Sequence, residues 1–378
     1  MKKINFIIPS KILVYKGEYY TQRVFVLDEL AKHFKVNFYC EIQKVSSLNK
    51  EKYVKCKNKI NFINTKFPKI YNIFALNKLK KNLKSKIKSE PIFYYYGFGY
   101  YGFIFPLFFK KNKKFTWVRS LFISPPTKIK LDQENIFKII LRYLTYPFIK
   151  TFYNLYSKWI TKDSIVFFTG PINFDKHNHL NKVEFVSSSP IPENFVISKK
   201  TKFSKKVVFI GKNSRQKGFD ILLQTLNNIK NPPKLIVIGV DKLNKNQVKK
   251  YSKLNIDFKG KIYNREILFN IMKDCDFLIM PSIHEKQGKT QVEAQFAGVV
   301  PICSDTGGIY TTVKNYYNGL LFKENNSQEL KNTLIKAYND FETYKNIRQN
   351  CIEESKNMTI ERQTKIMSEV IKNSTKLK

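Results

Sequence analysis

Glycine is scarce in this chain, 14 of 378 residues, about half the usual share. Few places are left for left-handed backbone, so the glycines that remain mark turns that need them. Cysteine is scarcer. The five stand at 40, 56, 275, 303 and 351, with no CxxC pair. That excludes a disulfide framework and a zinc ribbon, and it points to a reducing compartment, the cytosol. Only 29 acidic side chains face 68 basic ones, and just 7 of the basic residues are arginine. One stretch lacks charge altogether, the 19 residues Pro91–Phe109, nominally enough to span a bilayer. Its five tyrosines, three glycines and two prolines better suit a buried strand, a turn and the start of a packed helix. No secretory signal is expected, because Ile4–Pro9 reads as a first buried strand.

What is present excludes more. Hydrophobic residues make up 43% of the chain and aromatics 15%, too many for a disordered polymer. The length suits two or three domains. The formal charge is +39, carried mostly by 61 lysines. Lys, Asn, Ile, Phe and Tyr all have A/T-rich codons, so genome bias accounts for part of it. The other reading is an anionic partner: a membrane surface, a charged glycan or a nucleic acid. Residues 1–200 carry net +25 and residues 201–378 net +14. Lysine's dominance over arginine and the lack of a recognition motif put nucleic acid second.

No internal repeat interrupts the chain. In the second half, Lys206–Ile210, Lys234–Ile238, Ile256–Lys259, Asp276–Met280 and Val300–Ser304 are short apolar runs. Segments of helical spacing separate them: Phe219–Ile229, Arg265–Asp274 and Gln291–Ala297. Strands alternating with helices predict an α/β fold with a parallel sheet covered on both faces. In the first half, Ile4–Ile8, Val36–Cys40, Ile92–Tyr96, Phe115–Val118 and Ser164–Phe168 read as strands and Gln22–Phe34 as a helix. Ser187–Pro192 reads as a linker. Two domains, 1–200 and 201–357, are expected, with a helix of about 358–378 packing back on the first. A ligand should lie in the cleft at the carboxyl ends of the strands.

Two segments carry chemistry. In Phe209–Asp220 a strand ends, turns at Gly211 and starts a helix near Lys217. Lys212 and Lys217 beside such a turn suit a diphosphate; a solvated basic loop is the plain alternative. It is not a P-loop, because the Gly-Lys-Ser/Thr ending is absent. In Pro281–Gly298, Glu285 sits in a loop, Gly288 permits close backbone approach, and a helix begins near Thr290. Amides at Lys289–Gln291 can bind an anion. Glu293 in the first helical turn can accept from vicinal hydroxyls, as in a ribose, or simply favour the helix terminus. His177 and His179 near Asp175 read as a surface loop rather than a metal site, and no metal is expected. Cys303 reads as core.

Gly211-Lys212, Lys217-Gly218, Pro281-Ser282, Glu285, Gly288, Glu293-Ala294, Gly298, Pro301, Gly307-Gly308 and Asn318–Leu321 occur in this order and spacing. They resemble the second domain of retaining GT-B glycosyltransferases of family 4, over roughly residues 205–325. The resemblance implies two Rossmann-like, doubly wound domains facing a central cleft. It implies a donor site in which Lys212 and Lys217 neutralise the diphosphate, Glu293 binds the ribose and Glu285 holds the donor sugar. Gly211 shapes the turn, Gly288, Lys289 and Thr290 add backbone contacts, and Ile262 lines the base. No cofactor is implied; the donor would be a nucleoside-diphosphate sugar, expected to be a UDP-sugar. The chain departs from the pattern in three places. Lys212 replaces the usual arginine, Thr311 a frequent glutamate, and Arg119 a frequent histidine.

The function expected is sugar transfer to a saccharide or lipid-linked acceptor in cell-surface polysaccharide synthesis, at the cytoplasmic side of a membrane. The alternatives are a nucleic-acid-modifying glucosyltransferase and a non-catalytic GT-B binding subunit. Residues 136–160 mix basic and aromatic residues at helical spacing. Packing in the first domain is the favoured reading there, over a helix lying on a membrane.

Overall fold

The structure is a computed structural model. It describes residues 1–21, 25–49, 53–56, 59–68, 72–96, 101–118, 140, 144–148, 151–152, 155, 164–169, 181–185, 189, 191, 195–197, 199–285 and 287–374. The chain divides into two compact units, Met1–Phe185 with Ile360–Lys378, and Val186–Thr359. The first boundary therefore falls fifteen residues earlier than the expected 200/201. The reason is local packing. Ile191 and Phe195 rest against the core of the second unit, and fully buried Ser189 forms a bridge with Thr359.

The first unit is built on a nine-stranded sheet. β1 (Lys3–Tyr15) lies between β3 (Lys35–Lys44) and β6 (Ile92–Tyr96), parallel to both. β7 (Lys114–Val118), β8 (Ser164–Thr169) and β9 (Asn181–Phe185) extend it in parallel. The first strand is longer than expected. Its register with β3 shifts between Ile7 and Lys11, around Pro9, which has no amide proton for the ladder. It then turns at Lys16-Gly17, both with positive φ, into the hairpin strand β2 (Glu18–Thr21). β4 (Val54–Lys55) pairs β2, and β5 (Asn61–Asn64) pairs β3. Phe93 stacks with Phe6, Phe115 and Phe167 at centroid distances of 4.7, 6.4 and 5.9 Å. An asparagine ladder satisfies the buried amides beside this core: Asn37 donates to Asn5 at 2.8 Å and Asn61 to Asn37 at 3.0 Å.

Helices α1 (Phe25–Ala31), α2 (Ile73–Lys86) and α3 (Tyr101–Phe108) belong to this unit. The uncharged Pro91–Phe109 stretch forms β6 and α3, with Phe105 and Phe109 buried. No described helix is long and apolar enough to cross a membrane. The segment expected to pack as a helix at 136–160 does not bury its apolar residues where they are described: Ile140, Leu144, Phe148, Phe152 and Leu155 are all exposed.

The second unit has six parallel strands in the order β12-β11-β10-β13-β14-β15. These are β10 (Lys206–Ile210), β11 (Lys234–Ile238), β12 (Ile256–Phe258), β13 (Phe277–Met280), β14 (Val300–Asp305) and β15 (Leu320–Lys323). That is the doubly wound order, with its topological switch between β10 and β13. Helices α4 (Phe219–Asn227), α5 (Lys245–Lys250), α6 (Arg265–Met272) and α7 (Thr290–Phe296) connect the strands. α8 (Ser327–Asn339) and α9 (Phe341–Ser355) follow. On α4, Phe219, Leu222, Leu223 and Leu226 are buried, the i, i+3, i+4, i+7 stripe that helical periodicity requires. The last helix, α10 (Ile360–Ser374), buries Met367 and Ile371 in the core of the first unit.

Candidate functional site

The switch point of the second sheet delivers both motif segments to one place. β10 ends at Ile210, and the chain passes through a single 3₁₀ turn, Arg215–Lys217, into α4. β13 ends at Met280 and runs into the loop carrying Glu285. Backbone contact joins the two exits: the Ile283 amide donates to the Gln216 carbonyl at 3.0 Å. Gly218 makes this approach possible. Its φ is +66°, and a Cβ there would lie 1.8 Å from the Pro281 carbonyl oxygen, a clash no rotamer relieves.

On this frame Lys217 Nζ donates to Glu285 Oε2 at 2.5 Å. Ser282 Oγ lies 3.5 Å from the same oxygen. A third loop closes over Glu285 from beyond β14. The Gly308 amide donates to the Glu285 carbonyl at 3.3 Å, and a Cβ on Gly307 would sit 1.6 Å from that oxygen. The predicted Lys217 and Glu285 are thus partners, although 68 residues separate them. Lys212 is exposed. Gly211 stands at a bend directly after β10. Its φ is not positive, and a Cβ there would press on the Phe209 ring at 3.0 Å. Gly288 does have positive φ, +74°.

Glu293 lies in the first turn of α7, a helix that no side chain caps. The residue is only 4% exposed. Its Oε1 accepts from Ser189 Oγ at 3.0 Å and from Arg265 Nη1, and Lys289 Nζ stands 3.9 Å away. All three reach the same oxygen, so among the described residues no hydrogen bond uses Oε2. A buried carboxylate held on one oxygen keeps the other lone pairs for a ligand's hydroxyls. Sequence reasoning missed both Ser189 and Arg265. Arg265 is the first residue of α6, behind Asn264, whose side chain accepts from the Glu266 and Ile267 amides. Ser189 lay in a stretch read as linker. Neither has a local signal, because each matters only through a contact made across the fold.

Ile262 is half-buried and packs on the core beneath β11 and α6. Thr290 Oγ1 is 3.4 Å from Met280 Sδ. Thr311 closes its own turn, donating to the Gly308 carbonyl at 2.6 Å, and accepts from Gln287 Nε2 at 3.4 Å. Gln295 Nε2 ties the following loop to α7, donating to the Thr312 and Asn318 carbonyls at 2.9 and 3.0 Å. Arg119, Asp175, His177 and His179 lie outside the described residues. Among the described residues no group of three or more His, Cys, Asp or Glu could hold a metal ion.

The cysteines are free, and Cys40, Cys275, Cys303 and Cys351 are buried. Burial pushes the thiols of Cys40, Cys56 and Cys275 up to about 12. Buried Cys40 and Cys275 are inert core residues rather than nucleophiles.

Comparison with known proteins bears on the family and the fold. Residues 190–356 match the family described as glycosyl transferases group 1. An uncharacterized glycosyltransferase of Methanocaldococcus jannaschii is 34% identical over 158 residues, covering 41% of this chain and 44% of the relative. The chain spans less than half the length of the curated relatives it matches. Among solved structures, sucrose-phosphate synthase from Thermosynechococcus elongatus superposes with a TM-score of 0.68 at 14% identity, covering 100% of both chains. HepE of Anabaena, solved in complex with UDP, gives 0.65 at 14% identity over 99% of this chain and 100% of that one. The second unit therefore carries the glycosyl transferases group 1 match, and the chain as a whole has the fold of the GT-B glycosyltransferases.

Proposed function

We propose that the protein is a retaining glycosyltransferase of family 4, moving a sugar from a nucleoside-diphosphate sugar to a saccharide or lipid-linked acceptor in cell-surface polysaccharide assembly. The observation that carries the proposal is the Glu293 carboxylate in the first turn of α7, buried, fixed through Oε1 and open at Oε2, in the helix that follows the loop where Glu285 pairs with Lys217 of the β10–α4 turn. Glu293 would take the ribose hydroxyls. Lys217 has three protons, enough to keep Glu285 and still meet a phosphate oxygen. Glu285 would bind hydroxyls of the transferred sugar, and exposed Lys212 would add a second cation to the diphosphate. HepE, crystallised with UDP and with UDP-glucose, favours a UDP-sugar as donor.

In the proposed reaction the acceptor hydroxyl forms its bond to the anomeric carbon on the face the diphosphate leaves. The anomeric C–O bond breaks, and its electron pair goes to the departing phosphate oxygen. That oxygen collects the acceptor's proton. Lys212 and Lys217 stabilise the charge that develops there, so neither a metal ion nor a carboxylate nucleophile is required of the site. Retention here comes from the shared face and not from paired carboxylates.

A thermal-shift screen of nucleoside diphosphates and their sugars tests the donor site, because a ligand raises the melting temperature according to its concentration over its Kd. Glu293→Ala and Lys217→Ala should each abolish the shift and most transfer while far-UV circular dichroism is unchanged. Full turnover in either variant would remove that residue from the site.

A further inference from the structure

We propose that Gln291 is a positioning residue for the donor sugar, fixing the Glu285–Gly288 backbone so that the site distinguishes a sugar nucleotide from the bare nucleoside diphosphate. The inference rests on the donor-site reading above. Gln291 lies in the first turn of α7, two residues before Glu293, and is fully buried. Its side-chain nitrogen donates to two loops at once. One bond reaches the Gln287 carbonyl at 2.5 Å and the other the Thr312 hydroxyl at 2.9 Å. Gly288 rests directly against the same side chain: a Cβ there would lie 2.4 Å from Gln291 Oε1 and 2.8 Å from Nε2. The Gln291 amide is therefore a floor under the Gln287-Gly288 backbone.

Packing alone does not account for a glutamine here. Gln287, Gln291 and Gln295 follow one another at intervals of four, and all are buried. Each keeps a buried Oε1 that no hydrogen bond uses among the described residues. A leucine or methionine of similar volume would fill the same space without stranding an oxygen. What glutamine supplies at 291 is the pair of N–H donors, and both are used. They join the loop after β13 to the loop after β14. These loops also meet where the Gly308 amide donates to the Glu285 carbonyl and Gln287 Nε2 to Thr311. Gln291 closes the far end of that seam. Its side chain is sealed from solvent, so it acts through the loop and touches no ligand. Glu293 is held separately, by Ser189 and Arg265. Loss of the Gln291 bonds thus leaves the ribose end of the ligand its contacts and loosens the sugar end, against Glu285 and Gly288.

The test is calorimetric titration of the full chain and its Gln291→Leu variant with UDP and with UDP-glucose. The variant should lose about tenfold in affinity for UDP-glucose and less than about threefold for UDP. Thr312→Val takes away the acceptor from the opposite loop and should move the ratio of the two affinities in the same direction. It serves as the test if the leucine variant does not fold. The double variant should lose little beyond Gln291→Leu alone, because the two changes remove a shared bond. An unchanged ratio, whether both affinities fall together or neither moves, would overturn the proposal and leave the donor-site reading standing. Wild-type protein that binds neither ligand would overturn the UDP-sugar reading and this inference with it.

Discussion

Gly307→Ala is the sharpest single test of how the site is assembled, because a matched control exists in the same unit. Gly307 and Gly260 both have φ +60°. An alanine at either pays the same left-handed backbone penalty, about 1–2 kcal/mol, less about 0.4–1 kcal/mol recovered from the stiffer unfolded chain. Their surroundings differ. At Gly260 the nearest atom to an added Cβ is Asp241 Oδ1 at 3.1 Å, the end of a movable side chain. At Gly307 it is the Glu285 carbonyl oxygen at 1.6 Å, far inside the 3.0 Å at which real contacts begin. The Glu285 loop must therefore retreat by about 1.4 Å. Overpacking of that kind adds about 1–3 kcal/mol or more. Gly260→Ala should lose about 1 kcal/mol and Gly307→Ala about 3 kcal/mol, measured by urea denaturation with circular dichroism at 25 °C. The same retreat pulls Glu285 from Lys217, so Gly307→Ala should also weaken nucleoside-diphosphate binding by about tenfold or more. Equal destabilisation by the two alanines would refute the close approach.

Other consequences follow from individual contacts. Arg265→Met removes the guanidinium from Glu293 and should raise KM for the donor about tenfold with kcat nearly unchanged; Arg265→Lys should recover part of it, and an unaltered KM would deny Arg265 its positioning role. Asp276 is fully buried and binds Lys200 Nζ at 3.0 Å, the Ser204 amide and hydroxyl, and the Tyr338 hydroxyl. Asp276→Ala strips the counter-charge from Lys200, which keeps the Asp274 and Cys275 carbonyls, and takes the acceptor from the Ser204 amide; it should cost about 3 kcal/mol in urea denaturation. Because burial raises Cys40 and Cys275 to about 12, iodoacetamide at pH 8 should modify them far more slowly in the folded protein than in urea. Their raised values also mean that the stability they lend is intact below the ordinary thiol value of 9.0 and is lost as pH climbs toward 12; a flat unfolding free energy across that window would contradict their burial.

The second unit was largely legible. Its strands are short apolar runs, its helices have a clear apolar stripe, and Gly218, Gly288 and Gly307 each sit at positive φ in a chain that otherwise avoids glycine. The first unit was less so. β2, β4, β5 and β9 are short or half-polar, and the hairpin at Lys16-Gly17 hides behind a proline that reads as the strand's end but only shifts its register. The segment 136–160 reads the same whether its apolar face turns inward or outward. Periodicity gives a face and not its direction; where the segment is described, Ile140, Leu144, Phe148, Phe152 and Leu155 are exposed.

The amino-acid order alone determined the alternation of strand and helix, the two basic and acidic motif segments, and the places where only glycine fits. These are local properties, set by side-chain period and backbone sterics within a few residues. The pairing of Lys217 with Glu285, the convergence of Ser189 and Arg265 on one oxygen of Glu293, and the return of α10 to the first unit were decided by tertiary structure. Each joins residues far apart along the chain, and such contacts exist only after the parallel sheet has brought distant strand ends to the same edge.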